Sequence, residues 1–196
     1  MRRPISADDF VAELAGFEHT AFRLELQCRY REPSEADTLA RFLAGAPQNP
    51  TEVPALAAWF EQVRRLVDSG RRIERVRIHE DPPTPYQRWE RWIGAWNIRA
   101  GERIRYLTRA RAHEIGLLPA TGRTDWWLLD SNRLIAMSFD AAGNRLSDEL
   151  VTDPAAVVQA CRWRDLAVHH STLENVQGAA ALRRRRPAPC DRSKTG

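Results

Sequence analysis

His79, Glu80 and Asp81 stand in a row, the densest local set of side chains able to move a proton or ligate a metal ion. A strand expected over residues 72–79 delivers them, and Pro82-Pro83 turns the chain just beyond. Strand ends that run into loops are common homes for acid–base groups. Arg88, on the helix expected to follow, and Asp125, at the head of a separate strand, complete a candidate ligand-binding set with His79 and Glu80. Such a set does chemistry only when a further group converges on it; the alternative is a solvated strand end. His169 and His170 are neighbours on an expected helix, about 100° apart around its axis, so they do not share a metal readily, and no metal site is expected. Asp125 and Asp130 bracket one apolar strand, where they either line a cleft or satisfy nearby backbone N–H groups.

Much chemistry is excluded by composition. The one lysine, Lys194, sits in the C-terminal tail. That removes the phosphate-cradling P-loop, the Schiff-base lysine, the kinase lysine and the His-x-Lys pair of phospholipase D-type phosphodiesterases. No GxSxG or GxGxxG occurs. Cys28, Cys161 and Cys190 are too few and scattered for a disulfide framework or a zinc site. No catalytic residue and no cofactor is therefore expected. The net charge of +4 also dissolves on inspection: residues 183–196 hold five Arg, one Lys and one Asp, leaving 24 basic and 25 acidic residues elsewhere. The body is not expected to bind nucleic acid, although Arg183, Arg184, Arg185 and Arg186 could. No apolar run approaches the ~18–20 residues of a membrane span, and the start lacks a signal-peptide core. A cytoplasmic setting is expected.

The elements that must position these groups centre on residues 124–151, which read as an antiparallel meander. Asp125-Trp126-Trp127-Leu128-Leu129-Asp130 is a short run buried on both faces. Ser131-Asn132 supplies a turn, residues 134–139 a second strand, Gly143 a positive-φ turn, and residues 146–151 a third strand nearer an edge. Asp153-Pro154 opens a final helix expected to reach about Val176. Upstream, Ser6 caps a short helix with Asp9. Residues 20–30 alternate as a half-buried strand, with Phe22, Leu24, Leu26, Cys28 and Tyr30 on one face and Arg23, Glu25, Gln27 and Arg29 on the other. Pro33-Ser34 opens a helix with Asp37 placed for a capping box. Residues 54–69 form the clearest amphipathic helix, closed by Gly70. A helix from Thr84-Pro85 carries Tyr86, Trp89, Trp92, Ile93 and Trp96 as an aromatic stripe facing the core. The arginines at 71, 72, 75, 77, 99, 103, 105, 109 and 111 read as a salt-bridged surface, with a phosphate-binding face as the alternative. The whole describes an α/β or α+β domain over residues 1–177, with a mixed sheet of about six strands. A disordered basic tail is expected at 178–196.

Ala21-Phe22-Arg23-Leu24-Glu25, Arg41-Phe42-Leu43-Ala44-Gly45, the helix–Gly–Arg–strand of residues 56–78, the Asp125–Asp130 block and Trp163-Arg164-Asp165-Leu166-Ala167 together resemble the DUF6879 family over roughly residues 8–173. This is an uncharacterised domain of high-GC Gram-positive bacteria. The resemblance implies a single cytoplasmic domain, encoded near helix-turn-helix regulators, and carries over no catalytic residue. The order of elements is also similar to a phospholipase D-type half-domain, an analogy of fold that does not fix function. The expectation is a non-enzymatic regulatory or interaction domain whose protein partner is a helix-turn-helix transcriptional regulator. The alternative is a small-ligand or nucleotide-binding domain using His79, Glu80, Arg88 and Asp125, or a catalytically degenerate phospholipase D-like protein.

Overall fold

A computed structural model describes residues 1–175; the basic tail expected at 178–196 lies outside them. Eight strands form one mixed sheet in the order β1-β7-β6-β5-β2-β3-β4-β8 among the described residues. β2 (Thr20–Glu25), β3 (Arg72–His79) and β4 (Arg103–Thr108) run parallel. β5 (Asp125–Leu129), β6 (Arg133–Phe139) and β7 (Arg145–Val151) add the expected antiparallel meander, with β5 docked on β2. The sheet exceeds the expected six strands because two short edge strands, β1 (Arg2–Pro4) on β7 and β8 (Thr172–Leu173) on β4, cover its borders. Runs of two or three residues carry too little periodicity to be read in advance.

Helices cover both faces. α1 (Ala7–Ala15), α2 (Ala36–Leu43), α3 (Pro54–Asp68) and α4 (Pro85–Arg99) pack on one, burying Leu14, Leu56, Phe60, Val63, Trp89 and Trp92 against Ile73, Trp127, Leu129 and Ile135. α5 (Arg109–Glu114) and α6 (Pro154–His170) close the other over Phe22, Leu24, Val76, Ile78, Trp126 and Leu128. The caps follow local chemistry: Ser6 with Asp9 and Thr84 with Gln87 form reciprocal capping boxes, and Asp153 accepts from Ala156 N–H.

Four local expectations change. The strand expected over 20–30 stops at Glu25, because Leu26 N–H leaves the ladder and donates to the Asp125 carboxylate. Residues Pro33–Glu35 form a 3₁₀ turn before α2, with no side-chain cap from Asp37. The turn after β5 centres on Asp130 and Ser131, both at positive φ, and closes with Asn132 N–H donating to Leu129 O. Finally, α6 ends at His170 rather than near Val176. Ser171 turns extended, and Thr172–Leu173 instead supplies backbone partners to the outer edge of β4.

Candidate ligand site

β2 and β3 each alternate, so Arg23 and Glu25 share a face with Arg75 and Arg77, and the paired residue Trp127 of β5 lies beside Arg23. This face is not solvent. α1 to α4 roof it, and the four charged side chains become the floor of a cleft of about 330 Å³. Glu25 is the hub: its carboxylate accepts from Arg77 Nε at 2.6 Å and Arg75 Nη1 at 3.1 Å, and Arg23 Nη1 stands 3.1 Å away. Arg75 also donates to Glu102, and Arg77 Nε lies 3.4 Å from Glu90 Oε1 on α4. Arg77 Nη1 donates to the Glu90 backbone carbonyl. Gly94, one turn along α4, borders that guanidinium: a Cβ there would sit 3.5 Å from Arg77 Nη1, an ordinary contact.

Aromatic rings form the walls. The Arg23 guanidinium lies 5.5 Å from the Tyr30 ring centre and 5.6 Å from Trp127, and Arg75 lies 5.9 Å from Trp59. Tyr30 meets Phe139 and Tyr86 edge-on. Its segment is held in place by the turn after β6: Arg31 N–H donates to Gly143 O, and a Cβ on Gly143 would meet Arg29 O at 2.7 Å. Only glycine, at φ +88°, permits that approach.

Electrostatics split the carboxylates into two groups. For Glu25, burial favours the neutral acid, but Arg23, Arg75 and Arg77 outweigh it and hold the group ionised far below the usual range. Glu90 goes the other way: burial, reinforced by Glu25 and Glu35, overcomes Arg77 and Arg75 and pushes it up to about 8. Burial likewise raises Glu35, whose oxygen accepts from Tyr86 O–H at 2.9 Å. Tyr30, Tyr86 and Tyr106 around the same cluster are all pushed up by burial first and then by the carboxylates, so they stay neutral donors.

The residues singled out from sequence disperse around this cleft. Asp125 is fully buried behind its wall, accepting from Leu26 N–H, Gln27 Nε2 and Tyr30 O–H, with Arg23 Nη2 at 3.7 Å. Burial pushes it up to about 6 against those hydrogen bonds and Arg23. His79 Nδ1 meets the Glu80 carbonyl and its ring packs edge-on to Tyr106. Glu80 pairs with Arg109 at 2.6 Å. Arg88 is exposed and donates to Pro83 O. His79, Glu80 and Arg88 are not among the cleft's lining residues. Arg75 and Arg77, expected on a salt-bridged surface, are each 5% exposed. The missed signal was the helix–Gly–strand step itself. Parallel strands are covered on both faces, so the charged side of β3 had to lie inside.

Among solved structures, the phospholipase D family member Nuc from Salmonella typhimurium aligns at a TM-score of 0.51 and 9% identity, over 87% of this chain and 91% of that one. TrmBL2, an archaeal chromatin protein, aligns at 0.44 and 9% identity, over 87% of this chain and 52% of that one. The first likeness is one of fold. No curated protein matches the chain. The model of the family described as a domain of unknown function, DUF6879, matches residues 8–174. The chain is a member of the DUF6879 family.

Proposed function

We propose that this chain is a non-catalytic regulatory domain that binds a small polar ligand in the arginine–carboxylate cleft. One observation carries the reading: a pocket within the 300–1,000 Å³ range typical of ligand sites is built into the middle of a sheet face where apolar packing would otherwise be continuous. Buried ion pairs of this kind are weak contributors to stability, so a cluster of three arginines and several carboxylates invites a functional reason. Three cleft residues also carry buried donors with no hydrogen-bond partner among the described residues, Arg23 Nε, Trp89 Nε1 and Trp127 Nε1. Residues 1–193 contain no lysine, which favours binding over phosphodiester or Schiff-base chemistry.

In this reading, occupancy is passed to a protein partner, for which a helix-turn-helix regulator is the proposal. The test is thermal unfolding of the full chain against a panel of small anions, cations and neutral polar molecules. A ligand at ~100 times its Kd adds about 2.7 kcal/mol to stability, a shift of several degrees, and Trp59→Ala in the cleft wall should abolish it. A panel that leaves Tm unmoved throughout overturns the ligand reading. Stoichiometric co-purification with a helix-turn-helix protein from the native host is the corresponding test of the partner.

A further inference from the structure

The cleft's charges are unevenly paired, and the pairing bears on the ligand class. Each of its four arginines already has a carboxylate within 3.1 Å: Arg23, Arg75 and Arg77 through Glu25, and Arg145 through Asp148. An anionic ligand would compete with those carboxylates, although Arg23 Nε itself has no hydrogen-bond partner among the described residues. Four glutamates, Glu25, Glu32, Glu35 and Glu90, line the cleft beside the arginines, and the cations are shared unevenly among these, three of them meeting at Glu25. Glu35 has no cation within 4.0 Å among the described residues, and its only side-chain partner is the Tyr86 hydroxyl. Glu90 has Arg77 alone, at 3.4 Å and already committed to Glu25. Asn97, also in the cleft wall and 3% exposed, presents an acceptor, Oδ1, with no donor. Trp59 and Tyr86 also line the cleft, and aromatic rings are the usual companions of a bound organic cation.

Taking the cleft as a ligand site, we infer that its ligand is a small organic cation, an amine, amidinium or quaternary ammonium, held by Glu35 and Glu90 between the rings of Trp59 and Tyr86. Burial raises Glu90 and Glu35 because it penalises a bare carboxylate, and neither has a cation committed to it alone. A cation entering the cleft supplies one, so binding drives a proton off Glu90 when the solution lies below its pKa. Arg77, Arg75, Glu25 and Glu35 face Glu90 from β2, β3 and the 3₁₀ turn, with Tyr86 and Tyr106 beside it.

Calorimetric titration of the full chain with agmatine, putrescine and choline, set against citrate, AMP and inorganic phosphate, decides the matter. At least one cation should bind, more tightly as the pH rises from about 6 to 8 and level above that, with proton release seen as a heat that depends on buffer. Glu90→Gln and Glu35→Gln should each weaken it about tenfold or more, whereas Glu61→Gln on the exposed side of α3 should not. Both variants keep the size of the neutral side chain, and a far-UV spectrum confirms their fold. Binding by an anion with none by any cation overturns the charge assignment and leaves the ligand site standing. Silence from all six probes, or cation binding unaffected by both glutamate variants, overturns the inference outright.

Discussion

The two faces of the β2–β3 pair come from the same two strands, of 6 and 8 residues, and follow opposite rules. On the α5–α6 side, Phe22, Leu24, Val76 and Ile78 make a dry layer continuous with Trp126 and Leu128. On the α1–α4 side, the intervening residues begin apolar, with Ala21 and Ile73, and then become Arg23, Glu25, Arg75 and Arg77. Both faces are buried, so the difference is not one of solvent exposure. The first face maximises apolar contact, and the second gives some of it up for a preorganised set of charges. On the proposed reading, stability and binding lie on opposite sides of one sheet.

Neighbouring substitutions on β2 test that division most severely. Removing Glu25 leaves three arginines without their shared counter-ion, and Glu25→Ala should cost about 3–5 kcal/mol. Leu24→Ala, one residue away and on the other face, should cost about 2–5 kcal/mol through the cavity it opens. Acid separates the two. Glu25 is held below its ordinary value of 4.5, so its stabilisation is full above that pH and declines as pH falls toward its depressed native value. Urea unfolding from pH 7 down to about 3 should therefore show the Glu25→Ala deficit shrinking while the Leu24→Ala deficit holds. Parallel behaviour would mean that the charged face is ordinary core.

Glu90 reverses the sign. It is raised from 4.5 to about 8, so the folded state holds the proton more tightly than the unfolded chain does. Its contribution is full below 4.5 and is lost as pH rises through 8. Glu90→Gln should remove this loss, making the variant more stable than the parent at alkaline pH by up to about 5 kcal/mol. Near pH 4 the two should be equal. Chemical denaturation at both pH values checks it, and equal stabilities throughout would show that Glu90 ionises freely.

Much of the scaffold could be read from the letters because it is built from local rules. β3, α4, the meander and the Asp153 cap follow from strand alternation, capping boxes and turn residues, each contained within a few positions. The cleft could not be read this way. Arg23 and Arg75 look like solvent-facing alternation until β2, β3 and α1 to α4 are assembled, and Glu25 meets Glu90 and Glu102 only through Arg77 and Arg75. The bracket of β5 shows both cases. Asp130 and Asp125 are equivalent in sequence. In Asp130, burial opposes ionisation but N–H donors from Glu18, Thr20 and His19 outweigh it and hold the group below its ordinary value. Asp125, buried more deeply, is raised. Asp130→Ala should cost about 1–3 kcal/mol by orphaning those three donors, and hydrogen exchange should speed at Glu18–Thr20 without altering ligand binding.

The smallest expected effect is the most direct control on the comparison. Arg64 Nη1 and Glu61 Oε2 on α3 stand 2.6 Å apart, the same separation as Arg77 Nε and Glu25 Oε2 in the cleft. Distance therefore drops out, and only surroundings differ. The α3 pair is about half exposed on each side chain, while the cleft pair is roughly 5% exposed. A double-mutant cycle on Glu61 and Arg64 should give about 0.3–0.5 kcal/mol and fade in high salt. The same cycle on Glu25 and Arg77 should give several-fold more and persist in salt, because no ions reach the pair to screen it. If the two cycles agreed, burial would not be amplifying the cleft's electrostatics, and the charged face would lose its claim to be a site at all.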